Sequence, residues 1–294
     1  MSTKPVQLQE GPSWVGLGHR SQLSGWIKTM PPAVECLEIT AEHFFDGGQD
    51  YLRWLSERYP LFVHGLGLSL GTPGPLHQET LESFASVVEI ARPEWISEHI
   101  AFTWTSEVDL GHLNPVIPSR ESLDRIVEHT RQLSEYCDRP VLLENITSHL
   151  RVEGDMEEAD FLNGLCEEGG CGLLLDITNL FINSRNHKFD PVAWLEKLNP
   201  AFIVQCHVVG YSYRDGAWHD SHSSAIQEDL WELIEVVASY APLRSIIIER
   251  DGGFPCNEEL AAELGRLRKI LRSHGPDTKP VPVAGEAGSA EEAG

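Results

Sequence analysis

Six apolar runs in this chain end in a residue able to hold a metal ion or move a proton. They are Val63-His64, Ile96-Ser97-Glu98-His99, Val141-Leu142-Leu143-Glu144, Leu174-Leu175-Asp176, Val204-Gln205-Cys206-His207 and Ile247-Ile248-Glu249. A short aliphatic and β-branched run opened by proline, as Pro140 opens the third of these, reads as a buried strand. A buried strand carries an ionisable group at its end only where a cation, a hydrogen-bond network or an open cavity faces it. Imidazoles and carboxylates together suit a divalent transition metal, and the absence of cysteine from the strand ends argues against a structural zinc site. Three histidines and three carboxylates exceed the needs of one ion. Two or three ions sharing a bridging carboxylate would use them all, and Glu144, central in the series, is the natural bridge.

A later segment, Trp218-His219-Asp220-Ser221-His222, extends the set. If it is extended, Asp220 and His222 point the same way, which provides for a third ion, and Asn179, three residues beyond Asp176, can supply an oxygen to it. Each residue also has a plainer reading. A lone strand-end histidine is commonly a hydrogen-bonded core residue, Glu144 and Glu249 could pair with Arg20 or Arg250, and the Asp220–His222 segment could be a solvated loop, as His219 is expected to be. The joint placement favours ligation. Glu38 and Glu98 are read as either supports of the site or structural hydrogen-bonding groups, and His187 as a turn residue. Gly65, Gly67, Gly71 and Gly74 lack the GxGxxG spacing and read as a tight strand-to-helix loop; no GxSxG elbow occurs.

The elements that must position these side chains alternate. Strands are expected at 15–20, 34–40, 61–68, 95–101, the run ending at Glu144, 172–178, 202–210 and 245–251, and helices at 48–58, 76–91, 119–136, 156–168, 191–198, 226–240 and 257–272. Gly16 and Gly18 weaken the first strand, and Ser119 opens its helix as a cap. Near-continuous hydrophobic strands alternating with helices predict an α/β fold, a (β/α)8 TIM barrel, with the metal cluster at the C-terminal face of the strands. The expected organisation is an N-terminal arm at 1–14, the barrel at 15–274 and a disordered Pro/Gly/Ala/Glu tail at 275–294.

A chain of 294 residues, 41% hydrophobic, can fill one such domain. Its net charge of −23 opposes a nucleic-acid partner. The six cysteines form no CxxC pair and are expected as free thiols in a reducing compartment. With no apolar run of membrane-spanning length and no signal-peptide core, the protein is expected to be cytoplasmic.

In order, Ser97-Glu98-His99, Leu142-Leu143-Glu144-Asn145, Leu174-Leu175-Asp176-Ile177-Thr178-Asn179, His207-Val208-Val209-Gly210, Asp220-Ser221-His222 and Glu249-Arg250-Asp251 resemble the multinuclear non-haem iron-dependent oxidative enzymes, on the xylose-isomerase-like barrel. The likeness spans roughly 15–271. It implies two or three irons, mixed Fe(II)/Fe(III), with dioxygen as co-substrate, modifying a ribosomally synthesised precursor peptide, commonly at cysteine, with a small partner protein that delivers it. By the family's pattern His64, His99 and Glu144 hold one iron, Glu144, Asp176, His207 and Glu249 its neighbour, and Asn179, Asp220 and His222 a third; Glu144, Asp176 and His207 are the expected catalytic residues. Tyr211 departs from the pattern, standing where the family often has a second histidine, and the His19-Arg20 pair matches it less closely. The rival readings are a zinc-dependent phosphodiesterase resembling the apurinic endonucleases, a sugar isomerase on the same barrel, and a non-catalytic metal-binding protein. Asn179 stands where the endonucleases have a further histidine.

Overall fold

The structure, a computed structural model, describes residue 8 and residues 11–105 and 108–274. Most of the expected N-terminal arm and the whole tail at 275–294 lie outside the described residues. In chain order the elements are β1 (Trp14–Gly18), α1 (Ser24–Ile27), β2 (Cys36–Thr40), α2 (Gln49–Ser56), β3 (Leu61–His64), α3 (Gln78–Ala91), β4 (Ile96–His99), β5 (Ala101–Trp104), β6 (Asp109–Pro115), α4 (Arg120–Cys137), β7 (Val141–Glu144), α5 (Glu158–Gly169), β8 (Gly172–Asp176), α6 (Ile177–His187), α7 (Pro191–Leu195), β9 (Ile203–Val208), β10 (Gly210–Arg214), β11 (Ala217–Ser224), α8 (Glu228–Tyr240), β12 (Ser245–Ile248) and α9 (Asn257–His274). Eight strands close into a parallel barrel in the order β1-β12-β9-β8-β7-β4-β3-β2. The fold is therefore the (β/α)8 barrel that the alternation predicts.

Side chains alternate across each strand, which sorts the apolar residues into two cores. Leu37, Ile39, Val63, Ile96, Leu143, Leu175, Cys206 and Ile246 point outward and pack beneath the helices. Cys36, Phe62, Trp95, Leu142, Leu174, Val204 and Ile247 point inward and fill the lower barrel, where Leu8 caps them from below. Two residues further along the same strands, the inward position passes from Phe62 to His64, from Leu142 to Glu144, from Leu174 to Asp176 and from Ile247 to Glu249. The apolar plug thus stops one layer below the strand ends, and the ionisable layer sits directly on it.

Strand β9 needs a correction of phase to join this pattern. Its pairing with β8 slips between Leu173↔Ile203 and Leu174↔Gln205, so that Val204 and Gln205 both serve the interior. The bulge re-aims the rest of the strand, and His207 arrives opposite Asp176. Gly16 has an equally direct reason: a Cβ there would lie 2.2 Å from the Cys36 carbonyl oxygen. β1 and β2 approach too closely for any side chain.

Two features differ from the sequence expectation. The segment after β4 forms the antiparallel β5–β6 hairpin, and the one after β9 forms the β10–β11 hairpin; neither buries a long apolar run, so neither shows strand periodicity. Helix α6 begins directly at Ile177, because Asp176 closes β8 and also caps the helix by accepting from Asn179 N. Among the described residues all six cysteines are free, and no helix is long and apolar enough to cross a membrane.

Candidate metal centre

Glu144, at the end of β7, is 2% exposed and meets histidines on both its oxygens. Oε2 faces His64 Nε2 at 3.3 Å and His99 Nε2 at 3.5 Å, and Oε1 faces His207 Nδ1 at 3.1 Å. His207 Nδ1 is also 3.1 Å from Glu249 Oε2. Two buried groups that could each hold a metal ion result, His64–His99–Glu144 and Glu144–Asp176–His207–Glu249, with one potential ligand atom of each residue lying within 4.8 Å of the others in its set. Glu144 belongs to both. His64 Nε2 and Glu144 Oε2 are buried without a hydrogen-bond partner, an arrangement that is unfavourable unless a further group engages them. Nitrogen and oxygen donors converging in this way fit divalent first-row metals.

The remaining predicted ligands line the same cavity, of about 880 Å³, without closing a comparable set. His222 commits Nε2 to Asp220 Oδ2 at 2.7 Å and Nδ1 to Asp251 Oδ2 at 2.9 Å. Asn179 Oδ1 accepts from Thr147 Oγ1, and its Nδ2 donates to Asn145 O at 3.1 Å. Asp220 Oδ1, by contrast, is buried and unpartnered. His219 reaches the Arg214 carbonyl within the β10–β11 hairpin and His187 the Ser148 carbonyl, so both hold local structure. Tyr211 donates to Asp229 Oδ1 at 2.8 Å and stacks on Phe181; it takes a scaffold role in place of a site role.

Each of the three histidines in these two sets is oriented through its second nitrogen. Ser97 Oγ lies 2.9 Å from His64 Nδ1, Glu98 Oε1 lies 3.2 Å from His99 Nδ1, and Glu38 Oε1 lies 2.6 Å from His207 Nε2. Arg20 accounts for the outer rim. Its Nη2 donates to Glu249 Oε1 at 2.9 Å and its Nε to Asp251, so the arginine pairing that is the plainer reading of Glu249 occurs together with its approach to His207. Arg250 pairs with Glu263 instead.

The electrostatics follow from burying this many charges together. Burial drives His64 well below the usual imidazole range, and the neighbouring His99 and His207 charges add to the effect. For His99 burial also opposes protonation, but the carboxylates of Glu144 and Glu98 outweigh it and hold the group at about 9. Burial likewise disfavours charge on His207, which Glu38, Glu144 and Glu249 hold well above its ordinary value. Asp176 is pushed up by burial and then by Asp220 and Glu144. A cation placed among these groups would displace protons from the imidazoles and relieve the repulsion between the carboxylates.

Sequence reasoning leaves the roles of Glu38 and Glu98 open, and assigns none to Asp251 or Thr147. Asp251 is findable, since it lies two residues beyond Glu249. Thr147 carries no such signal, because its partner Asn179 is distant in sequence.

The family described as RiPP precursor modification enzyme MbnB/TglH/ChrH matches residues 14–272. A UPF0276 protein of Bordetella parapertussis is 34% identical over 269 residues, covering 88% of this chain and 93% of that protein. One from Chromobacterium violaceum is 33% identical over 264 residues, covering 88% and 95%. Among solved structures, endonuclease IV from Thermus thermophilus superposes with a TM-score of 0.56 at 16% identity, covering 88% of this chain and 99% of that one. D-psicose 3-epimerase from Clostridium cellulolyticum does so with a TM-score of 0.57 at 11% identity, covering 89% and 99%. These two likenesses establish the barrel. The match across nearly all of the barrel establishes more: this chain belongs to the MbnB/TglH/ChrH family of RiPP precursor modification enzymes.

Proposed function

We propose that this protein is an iron- and dioxygen-dependent oxidoreductase that modifies a ribosomally synthesised precursor peptide at a cysteine, working with a small partner protein that delivers the peptide. The observation that carries this reading is the position of Glu144 between two buried ligand sets. A carboxylate shared by two buried nitrogen- and oxygen-donor sets suits a pair of first-row transition ions, and membership of the precursor-modification family points their chemistry toward a peptide. His64, His99 and Glu144 would hold one iron, and Glu144, Asp176, His207 and Glu249 the second. Asn179, Asp220 and His222 would hold a third after His222 gives up one of its carboxylate partners. When bound, the irons supply dioxygen activation and a Lewis acid for the thiolate.

The chain's own residues do the remaining work. Arg20 neutralises the outer oxygen of Glu249 and leaves Oε2 turned toward His207. Glu144 and Asp176 line the cavity where the reacting part of the peptide would lie, with His207 buried behind them. The cavity, with Phe44, Leu66, Leu113 and Ile146 among its lining residues, offers apolar contacts beside the charged floor. Its volume admits a few residues of an extended chain, in keeping with a peptide substrate.

The test is anaerobic purification followed by iron analysis and oxygen uptake with a cysteine-containing precursor peptide. At least two irons per chain and peptide-dependent oxygen consumption are expected. Zinc occupancy with phosphodiesterase activity would replace this reading by the hydrolase one, and metal without turnover of any peptide would favour a binding protein.

A further inference from the structure

Beneath the ligand layer runs a line of polar side chains buried inside the barrel. Trp95 Nε1 lies 2.6 Å from Gln205 Oε1, Gln205 Nε2 is hydrogen-bonded to Glu38 Oε2, and Glu38 Oε1 lies 2.6 Å from His207 Nε2. Trp95, Gln205 and His207 are completely buried and Glu38 is 2% exposed, so bulk solvent does not reach these bonds. The residues come from β2, β9 and the position just before β4, and none is contiguous with another.

The direction of the chain of bonds is fixed from its far end. An indole N–H can only donate, so the Gln205 atom facing Trp95 must be the carbonyl oxygen. That orientation leaves the amide NH2 to face Glu38, which accepts it. A carboxylate has only lone pairs to offer, so its other oxygen requires an N–H from His207 Nε2. Gln205 Nε2 also lies 3.3 Å from His207 Nε2. That contact would favour a bare Nε2, but the much closer carboxylate would then face it lone pair to lone pair.

We infer that Glu38, held by Gln205 and Trp95, is a positioning residue that keeps the proton on His207 Nε2 and so presents Nδ1 to the metal in the four-ligand set. His64 and His99 use the opposite nitrogen, since their Nδ1 atoms face Ser97 and Glu98 and their Nε2 atoms face Glu144. The two sets thus differ in which nitrogen is turned to the metal: His207 is backed at Nε2 by the buried carboxylate of Glu38, which makes its imidazole a stronger donor, whereas in the other set His99 is backed at Nδ1 by the Glu98 carboxylate and His64 at Nδ1 by the neutral Ser97 hydroxyl. The inference rests on the metal-centre reading above and adds an assignment of which nitrogen binds and why.

The decisive measurement is a long-range 1H–15N spectrum of the intact protein, histidine-labelled and loaded with Zn(II) alone. His207 should show a protonated Nε2 and a metal-bound Nδ1. A protonated Nδ1 with metal on Nε2 overturns the inference and leaves the metal-centre reading standing, whereas failure of the wild type to take up zinc overturns both. A chelator competition with Glu38→Gln gives a second readout. One of two zinc affinities should fall roughly ten- to hundredfold while the other is unchanged, and equal affinities in variant and wild type would remove Glu38 from the role. Should Glu38→Gln fail to fold, the wild-type spectrum still decides.

Discussion

Replacing Glu144 by alanine removes one side chain and is expected to weaken two metal sites. The His64–His99–Glu144 set would keep two ligands, and the Glu144–Asp176–His207–Glu249 set three. Structural zinc sites with four ligands bind with about 10–16 kcal/mol, so one ligand is worth roughly 2.5–4 kcal/mol, which corresponds to about 10²–10³ in affinity at each set. The smaller set should suffer more, because two imidazoles alone seldom hold a divalent ion against solvent. The assay is anaerobic Fe(II) titration against a competing chelator, with circular dichroism to show that the barrel persists. Its persistence is expected, since the apolar plug of Phe62, Trp95, Leu142 and Leu174 lies below Glu144 and is untouched. Weakening of one site only, with the other at wild-type affinity, would refute the bridging role.

Further predictions concern other parts of the molecule. Glu42 accepts from the backbone N–H groups of Leu66 and Gly67, yet burial and then Glu98 push its carboxyl up to about 7. A carboxyl raised from 4.5 to about 7 contributes stability that is present at low pH and is lost as pH rises through that window. The full shift is worth roughly 3 kcal/mol, discounted to about 1–2 kcal/mol for partial exposure. Glu42→Gln, which still accepts both N–H groups, should raise Tm at pH 8 and leave it unchanged at pH 4; an equal change at both would show that charge is not the cause. Gly16→Ala should unfold the protein or lower its stability by more than about 3 kcal/mol, since the new Cβ meets backbone at 2.2 Å; a near-native denaturant midpoint would contradict that contact. Leu8→Ala should lower stability by about 2–3 kcal/mol by opening the floor of the barrel, and a chain as stable as wild type would show that Leu8 does not cap it. Asp220→Ala should leave both Glu144-containing sets loaded and affect only a third ion; loss of metal from either set would mean that Asp220 supports them directly.

The strand ends are legible in the sequence because the barrel imposes one rule on every strand. Inward residues are apolar in the lower barrel and chemical at the top, so His64, Glu144, Asp176 and Glu249 each announce themselves as a break in an apolar run. What is hidden follows from the same rule. Glu38 and Gln205 are polar residues inside strands, where periodicity gives no hint of a partner, and their meeting depends on closure of the barrel and on the β9 bulge. Helix α6 is concealed because Asp176 serves two elements and because Ile177, Thr178 and Asn179 are weak helix formers. The two hairpins lie over the mouth of the barrel with partly exposed faces; without a buried stripe they read as loops, although one of them supplies Asp220 and His222. From sequence alone Arg20 competes with a metal for Glu249. In the folded chain the two oxygens of that carboxylate divide the roles between them.

On the reading proposed above, one carboxylate joins two metal ions at the top of this barrel, and anomalous diffraction at the iron edge, from crystals of protein purified without oxygen, would locate them. Two iron peaks should flank Glu144, one beside His64 and His99 and the other beside Asp176, His207 and Glu249. A single peak, or iron bound elsewhere with Glu144 touching none, would mean that Glu144 bridges no pair of ions.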